Sequence, residues 1–386
     1  MSEQLAGADV ATILPQAADP VALHSAIVSV PSVSGGETAL ADYLAGWLKQ
    51  HGLAVERVAN SLYVECGGGP ETPLVLFDTH LDTVPPAVGW SRQPFRATVE
   101  GERIYGLGAN DAKASVAAMA CAVVAFAAMP AMGSGALPFR LGLALVEGEE
   151  TKSVGTERVL AFLAEHGERP SMAVLGEPTG LDLAVAQKGL MVLELVASGK
   201  ACHAAHAASI GGDNAIARLM MDLMALEGLD LGAPHPELGP ATVTTTVLRA
   251  GDARNAVPGE ATAVLDVRST PLLAHAEIVA RLRAVVRSEV RVLSDRLQPR
   301  STALGHPLVL AARRARPEAR CFASSTLSDM ALMPEIPAIK VGPGETQRSH
   351  TADEFVFAHE IRDGEAFYRR LLGELTLELT REQNRL

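Results

Sequence analysis

Cysteine is scarce in this chain of 386 residues, and the four cysteines that occur are scattered along it. No two of them form a Cys-x-x-Cys pair, which argues against a disulfide scaffold and against a thiolate zinc site. Isolated thiols are typical of a reducing compartment, so we expect a cytoplasmic protein. The four residues are Cys66, Cys121, Cys202 and Cys321.

Basic clusters and long apolar runs are also lacking. The formal net charge is −12 and no basic patch is present, so no nucleic-acid partner is expected. The first twenty residues have no basic segment followed by an apolar one, and no secretory signal is expected. The Ala-rich stretch after Asp111 comes nearest to a membrane span, but Lys113 interrupts it, so no membrane association is expected.

What the chain does contain is an α/β pattern. Strands and helices alternate between Leu74 and Leu175, which predicts a mostly parallel sheet with ligands at the carboxyl ends of its strands. After Gly189 the pattern becomes strand–helix–strand–strand–helix–strand, typical of a two-layer α+β (ferredoxin-like) domain. We therefore predict a domain formed by residues 1–188 and 299–386, with a smaller domain inserted at 189–298.

Polar side chains follow several predicted strands or open the next helix, where a parallel sheet would bring them together. All are oxygen or nitrogen donors, a set that suits Zn²⁺, Co²⁺ or Mn²⁺. Two imidazoles and at least three carboxylates are too many for one tetrahedral ion, but they fit two ions that share a bridging carboxylate. The set is His80, Asp82, Asp111, Glu149, Glu150, Glu177 and His350.

This donor set predicts hydrolysis. Two ions lower the pKa of a shared water and polarise a scissile carbonyl, and a carboxylate that binds neither ion must then accept the proton. The adjacent Glu149 and Glu150 would divide the two tasks, because neighbouring residues at a strand end point in different directions. Taken alone, Glu149-Glu150 is a surface pair and His80-Leu81-Asp82 a strand end. The argument therefore depends on the whole set.

Nine short motifs, among them Asp78-Thr79-His80-Leu81-Asp82-Thr83-Val84, fall in one order along nearly the whole chain. In these motifs the chain resembles the aminoacylase/carboxypeptidase-type dinuclear zinc metallopeptidases, most closely their acetylornithine deacetylase branch. The resemblance implies a catalytic domain of zinc-peptidase type. The motifs span residues 78–84, 105–111, 149–150, 176–179, 199–205, 255–258, 326–329, 342–345 and 349–354.

The resemblance implies roles for the metal-ligating residues. Asp111 would bridge two divalent ions, with His80 and Glu177 completing one site and Glu150 and His350 the other. Zn²⁺ is the expected metal, and the same donors would accept Co²⁺ or Mn²⁺.

Other roles are implied around the metals. Glu149 would be the general base, and Asp82 would hold the second ring nitrogen of His80. The inserted domain would form a homodimer and place a histidine in the partner's active site, where it would bind the developing oxyanion. His203 matches the family motif, and the nearby His206 remains the alternative.

The substrate assignment follows from the same resemblance. Asn255 and Arg268 match positions that hold the substrate's amide and carboxylate, and an Arg guanidinium can donate two parallel hydrogen bonds to a carboxylate. Gln187 stands where related desuccinylases carry an Arg, so a dicarboxylate acyl group is expected to bind less well. We predict hydrolysis of N-acetyl-L-ornithine to L-ornithine and acetate, in arginine biosynthesis.

Two alternatives to this function remain. The first is an N-succinyl-amino-acid desuccinylase or a dipeptidase of the same family. The second, from another class, is a catalytically silent metal- or amino-acid-binding protein. An assay of acetate release together with metal analysis would separate the silent protein from the enzymes, because a binding protein holds its ligand without releasing product.

Overall fold

The computed structural model describes residues 18–129 and 137–383. The predictions made on residues 1–17, namely the start of the first domain and the lack of a secretory signal, lie outside the described residues. The chain divides into two compact units. The first unit comprises the chain up to Val185, Thr302–Phe322 and Ser328 onward, and the second comprises Ala186–Ser301 and Ala323–Leu327.

Eight α-helices lie in the described ranges. Asp19 caps the first, its side chain accepting a hydrogen bond from the backbone N–H of Val21 at 2.9 Å, and Pro20 occupies the first turn. Within the described residues, no helix is both long enough and apolar enough to cross a bilayer. The helices are α1 Pro20–Val28, α2 Thr38–Gln50, α3 Lys113–Ala127, α4 Val154–Glu165, α5 Ala215–Leu226, α6 His275–Val285, α7 Pro307–Ala315 and α8 Ala358–Gln383.

The strands of the described residues form four sheets, the largest with nine strands and the next with four. In chain order they are β1 Glu56–Val58, β2 Ser61–Gly67, β3 Leu74–His80, β4 Thr98–Glu100, β5 Arg103–Tyr105, β6 Arg140–Val146, β7 Pro170–Leu175, β8 Leu183–Gln187, β9 Gly189–Ser198, β10 Cys202–His203, β11 Thr242–Ala250, β12 Ala256–Val257, β13 Glu260–Ser269, β14 Glu289–Leu297, β15 Arg300–Ser301, β16 Cys321–Ser324, β17 Ala338–Lys340 and β18 Phe355–Phe357.

The largest sheet has a parallel centre. Strands β6, β3, β7 and β17 are neighbours in that order, and each adjacent pair runs parallel. The flanking pairs β1–β2, β2–β6 and β17–β8 are antiparallel. The predicted mostly parallel sheet is confirmed. Because the central strands share one direction, their carboxyl ends lie along the same edge of the sheet.

Successive side chains of β3 point to opposite faces of the sheet and pack into two hydrophobic cores, one on each face. Val75 and Phe77 pack into the core beneath α3 and α8, whereas Leu74 and Leu76 pack into the core beneath α4. All four side chains are buried, and complete burial of such a side chain stabilises the fold by about 1.5–3 kcal/mol. Both faces of β3 are thus fixed before the strand reaches its polar end.

The four-stranded sheet of the second unit has the predicted two-layer arrangement. Its strands follow the order β11–β13–β9–β14 and every adjacent pair is antiparallel. Apolar residues of α5 and α6, such as Leu219 and Leu282, complete one core with one face of this sheet. The predicted two-layer α+β (ferredoxin-like) arrangement is therefore confirmed.

Several short elements differ from the sequence-based expectation. The sequence over residues 53–58 predicts a strand, but the strand there is only the three residues of β1; the short strands β8, β16 and β18 lack an alternation of apolar and polar residues. A four- or five-residue apolar run is ambiguous by pattern alone, since strand and helix periods differ little over such a length. Strand β18 precedes the terminal helix and pairs with β5, although the two strands are far apart in the sequence.

Candidate metal centre

The carboxyl ends of β3, β6 and β7 place most of the predicted ligands at one site. His80 is the last residue of β3, and Glu177 lies two residues beyond the end of β7. Glu149 and Glu150 follow the end of β6 in a turn. Because these strands are neighbours in the sheet, their final side chains lie close together.

Two groups of metal-ligating atoms meet there, and they share Asp111. One consists of His80, Asp111 and Glu177, and we call it the buried group. The other consists of Asp111, Glu150 and His350, and we call it the exposed group. Within each group the ligand atoms all lie within 4.8 Å of one another. All five residues belong to the first unit.

In the buried group, His80 is held on both sides of its ring. Its Nδ1 lies 2.9 Å from the backbone oxygen of Asp82, and its Nε2 lies 3.2 Å from Oδ1 of Asp111. A proton on Nδ1 would be donated to the Asp82 oxygen, which leaves Nε2 as the ligand atom. Burial opposes a charge on His80, but the contacts with Asp111 and Asp82 raise its pKa well above the ordinary value.

The exposed group has a more open geometry. Nε2 of His350 lies 2.8 Å from Oε1 of Glu150 and 3.8 Å from Oδ2 of Asp111. The His350 side chain is 50% exposed, against 1% for His80. The contact with Glu150 raises the pKa of His350 to about 9.

Asp82 contacts His80 mainly through its backbone, while its carboxylate has a different set of partners. Oδ1 accepts a hydrogen bond from the backbone N–H of Glu149 at 3.0 Å, and Oδ2 accepts one from Glu150 at 3.2 Å. Oδ2 also accepts the hydroxyl hydrogen bond of Ser34 at 2.7 Å, and Asp82 is fully buried. The sequence indicated Asp82 only as the partner of His80, whereas the carboxylate also fixes the turn that carries both glutamates.

The electrostatics of the site favour bound cations. Burial and the charge of Glu177 raise the pKa of Glu149, and burial together with Asp111 raises that of Glu177 to about 8. Carboxylates crowded in a buried site resist ionisation until a positive charge is placed among them. The donors are nitrogen and carboxylate oxygen throughout, which fits two ions of the zinc, cobalt or manganese type.

Two residues near this site were not singled out in the sequence. Glu354 lies in the motif at 349–354, and its carboxylate accepts hydrogen bonds from the loop that carries Asp111. Lys340 is only 2% exposed, and its β17 backbone pairs with Leu175, which in turn pairs with Asp78 of β3. A lysine within an apolar strand was the available sequence signal for Lys340. Glu354 had no such signal, since a lone glutamate after a histidine motif resembles a surface residue.

A second polar cluster lies beneath the buried group. The hydroxyl oxygen of Thr156 is 3.1 Å from Oδ2 of Asp78 and 2.5 Å from Oδ2 of Asp329. Asp78 and Asp329 are almost fully buried, and burial raises the pKa of both carboxyls. Thr156 and Asp329 are 173 residues apart, so no local pattern in the sequence predicts their contact.

The remaining predicted residues belong to the second unit. His203 and Asn255 are exposed, and Nδ1 of His203 accepts a hydrogen bond from the backbone N–H of Ala205 at 3.1 Å. Arg268 donates two hydrogen bonds to the carboxylate of Asp266, at 2.8 and 3.1 Å, so this predicted substrate clamp already has an acidic partner.

Comparison with known proteins places these residues in a family. The family model described as peptidase family M20/M25/M40 matches residues 76–374. A succinyl-diaminopimelate desuccinylase of a Methylobacterium species is 32% identical over 93% of this chain and 96% of its own length. Another, from Gluconobacter oxydans, is 32% identical over 70% of this chain and 72% of its own. The crystal structure of a Bacillus subtilis M20 peptidase, described as dinuclear metal binding, superposes with a TM-score of 0.70 at 17% identity, covering 93% of this chain and 97% of the other.

Proposed function

Since the chain belongs to peptidase family M20/M25/M40, we propose that this metal-dependent amidohydrolase removes the acyl group from a small N-acylated amino acid, using two divalent ions. The observation that carries the proposal is the pair of three-residue ligand groups sharing Asp111. In this proposal His80 and Glu177 complete one metal site, and Glu150 and His350 complete the other. Zn²⁺ is the proposed metal, with Co²⁺ or Mn²⁺ as substitutes.

When bound, the two ions would lower the pKa of a shared water and polarise the scissile carbonyl. The chain's own residues would then handle the proton. Glu149 is in neither ligand group, and the Asp82 carboxylate fixes its backbone beside Glu150. We assign Glu149 as the general base, which would take the proton of the attacking water and deliver it to the leaving amine.

His203 is proposed as the oxyanion donor, supplied by a partner subunit. Nδ1 of its exposed ring accepts the Ala205 N–H, so Nε2 carries the proton and is free to donate. His206, whose ring centroid is 5.7 Å away, is the competing candidate. Replacing His203 with Ala should lower kcat about 10²–10³-fold, and His206→Ala should change it less than about threefold.

A homodimer through the second unit is part of this proposal. Its edge strand β11 is largely exposed, as are three methionines on α5. An unpaired edge and exposed apolar side chains are features of a surface that associates. The expected result of sedimentation analysis is a dimer, and mixing the inactive variants Glu149→Ala and His203→Ala should restore activity in the mixed dimer. The methionines are Met220, Met221 and Met224.

The proposal also concerns which acyl group is removed. The names of the two relatives make a succinyl group the first candidate. We propose N-succinyl-L,L-diaminopimelate as the first substrate to test. N-acetyl-L-ornithine remains the second candidate because Gln187, where an Arg was expected for a dicarboxylate acyl group, is neutral and fully buried. The assignment to arginine biosynthesis depends on that second substrate, and the cytoplasmic location remains a prediction.

A substrate panel tests the proposal. Zinc- and cobalt-loaded protein would be assayed with N-succinyl-L,L-diaminopimelate, N-acetyl-L-ornithine, N-succinyl-L-ornithine and a dipeptide, following release of the free amine. We expect one acyl class to exceed the others by at least about tenfold in kcat/KM. Protein that binds two ions and hydrolyses none of the four would favour the catalytically silent alternative.

The general base has its own test. Glu149→Gln removes the proton acceptor but keeps the shape of the side chain, so kcat should fall by about 10²–10⁴-fold. Metal content should stay at two ions per chain because Glu149 is in neither ligand group. Activity within about tenfold of the wild type would show that another group takes the proton.

A further inference from the structure

All six backbone N–H groups of the loop from 106 to 111 have a hydrogen-bond partner, and one residue supplies four of the partners. The backbone N–H groups of Asn110 and Asp111 donate to Oε1 of Glu354 at 2.8 and 2.9 Å, and that of Gly108 donates to Oε2 at 2.9 Å. The N–H of Gly106 donates to the backbone oxygen of Glu354 at 3.0 Å. Four of the six loop residues from 106 to 111 thus donate to this one glutamate.

The loop needs this support because it is neither helix nor strand. Gly108 has φ +73°, and a Cβ atom there would come within 2.5 Å of the Thr83 side chain, so the turn has room only for glycine. With three N–H groups converging, the loop forms an anion-binding nest, and the carboxylate that fills it comes from the same chain. Glu354 is only 2% exposed, so water cannot readily take its place.

Glu354 also belongs to the segment that carries His350. The next residue, Phe355, pairs with Tyr105 at the start of the same loop. The side chain of Asn110 adds a second link, because it exchanges two hydrogen bonds with the backbone of Glu345, both at 3.0 Å. The segments that carry Asp111 and His350 are therefore fixed to each other.

We propose that Glu354 is a positioning residue that sets the separation of Asp111 and His350 and so determines the affinity of the exposed group for its metal ion. The inference rests on the proposed two-metal function. Asp111 keeps a second restraint in the buried group, its 3.2 Å contact with His80. Loss of Glu354 should therefore weaken the exposed group far more than the buried one.

Glu354→Gln is the variant that discriminates best. The amide is isosteric, but one oxygen is replaced by an NH₂ group, which cannot accept a hydrogen bond from a backbone N–H. The side chain can then satisfy one side of the nest and not the other. Glu354→Asp keeps the carboxylate on a side chain that is one methylene shorter. It therefore tests independently whether the carboxylate must reach the N–H groups of the loop.

The control is Glu365→Gln on α8. Glu365 is also 2% exposed and forms an ion pair with Arg369 at 2.6 Å, but it belongs to neither ligand group. The Glu365→Gln variant therefore measures how much the loss of a buried carboxylate away from the site affects the stability of the fold.

The experiment is a calorimetric titration of metal-free protein with Zn²⁺ alone, repeated with Co²⁺ to follow the absorption spectrum. For Glu354→Gln we expect the weaker of the two binding steps to lose about 10–100-fold in affinity and the tighter step to change less than about threefold. Glu365→Gln should bind both ions as the wild type does. Thermal unfolding of the metal-free proteins would show that the variants fold.

Two results would overturn the inference. One is a Glu354→Gln protein that binds both ions with wild-type affinity. The other is an equal loss of both steps with a matching loss in Glu365→Gln, which would make the effect one of general stability. Neither result depends on turnover. Wild-type protein that binds two ions and cleaves no substrate would refute the proposed function and leave this inference standing.

Discussion

The buried and exposed groups share a ligand but are built in different ways. His80 ends a central strand with 1% of its side chain exposed, whereas His350 lies in a loop with 50% exposed. Strand β3 pairs with β7 as far as Asp78 and with β6 as far as His80, so the backbone at His80 is fixed by the sheet itself. The loop at His350 has no such ladder, and side-chain contacts must define its position.

The difference implies two classes of metal affinity. A site built on hydrogen-bonded strands loses little conformational entropy when it binds an ion, because its ligands are already ordered. A site that includes a half-exposed loop residue must order that residue first. We therefore expect the buried group to hold its ion more tightly than the exposed group.

The largest expected effect comes from the residue that the two groups share. Asp111→Ala should lower the affinity for each ion by more than about 100-fold. Mutating a residue that only hydrogen-bonds to a metal ligand already lowers metal affinity by about 10–100-fold. Activity should fall below detection. Metal analysis after dialysis checks this, with Asp42→Ala, in a surface ion pair with Arg57, as control. Retention of one tightly bound ion would mean that the groups do not share Asp111.

The two histidines give the next largest effect and compare the groups directly. His350→Ala should leave one tightly bound ion per chain, because only the exposed group loses a ligand. His80→Ala should remove the tight step of a Zn²⁺ titration. If both variants lost the same step, the distinction between the groups would be wrong.

A pH effect should mark the exposed group in metal-free protein. Contact with Glu150 raises the pKa of His350 from 6.5 to about 9. The folded state then binds the extra proton, so the stabilisation is complete below pH 6.5 and is lost as the pH rises through 9.

The measurement compares wild type with His350→Ala in chelator. The difference in their free energies of unfolding should be largest near pH 6 and should vanish near pH 10. For the Zn²⁺-loaded protein the trend reverses, because the proton on His350 competes with the ion. A difference that stays constant across this range would mean that His350 is not protonated in the folded state.

The smallest expected effects come from two serines that contact residues next to the ligand groups. Ser34 donates to the Asp82 carboxylate at 2.7 Å, and the Ser349 hydroxyl accepts from the Asn110 amide at 3.2 Å. Each alanine substitution should cost about 1 kcal/mol in unfolding free energy. Ser349→Ala should affect the weak metal step alone, whereas Ser34→Ala should affect both steps, because Asp82 contacts both His80 and the backbone of Glu150. A loss confined to the tight step in Ser349→Ala would contradict the comparison.

Much of the fold could be predicted because its signals are local. The cap at Asp19, the apolar strand before His80 and the helix after Asn214 each follow from a few neighbouring residues, and all three are present. Most of the donor set was predictable for the same reason, since these residues follow a recognisable strand or precede a recognisable helix. Short strands such as β18 were not, because their pairing partner lies about 250 residues away.

The support around the site was less predictable than its ligands. Glu354, Thr156 and Asp329 depend on contacts between distant segments, for which a single sequence carries no pattern. Arg268 shows the converse limit. Its residue type suits a carboxylate clamp, yet Asp266 two residues earlier already occupies its guanidinium. Residue type indicates what a side chain can bind, and only the fold determines which partner it meets.

The pairing of β18 with β5 bears on how the protein is made. Residues 103–105 leave the ribosome long before residues 355–357, and the Asp111 loop in between has no carboxylate to accept its N–H groups until the later segment arrives. A nascent chain shorter than about 354 residues would therefore present His80 and Glu177 before the Asp111 loop is held in place. Metal uptake at both positions would then have to await synthesis of the segment that carries Glu354.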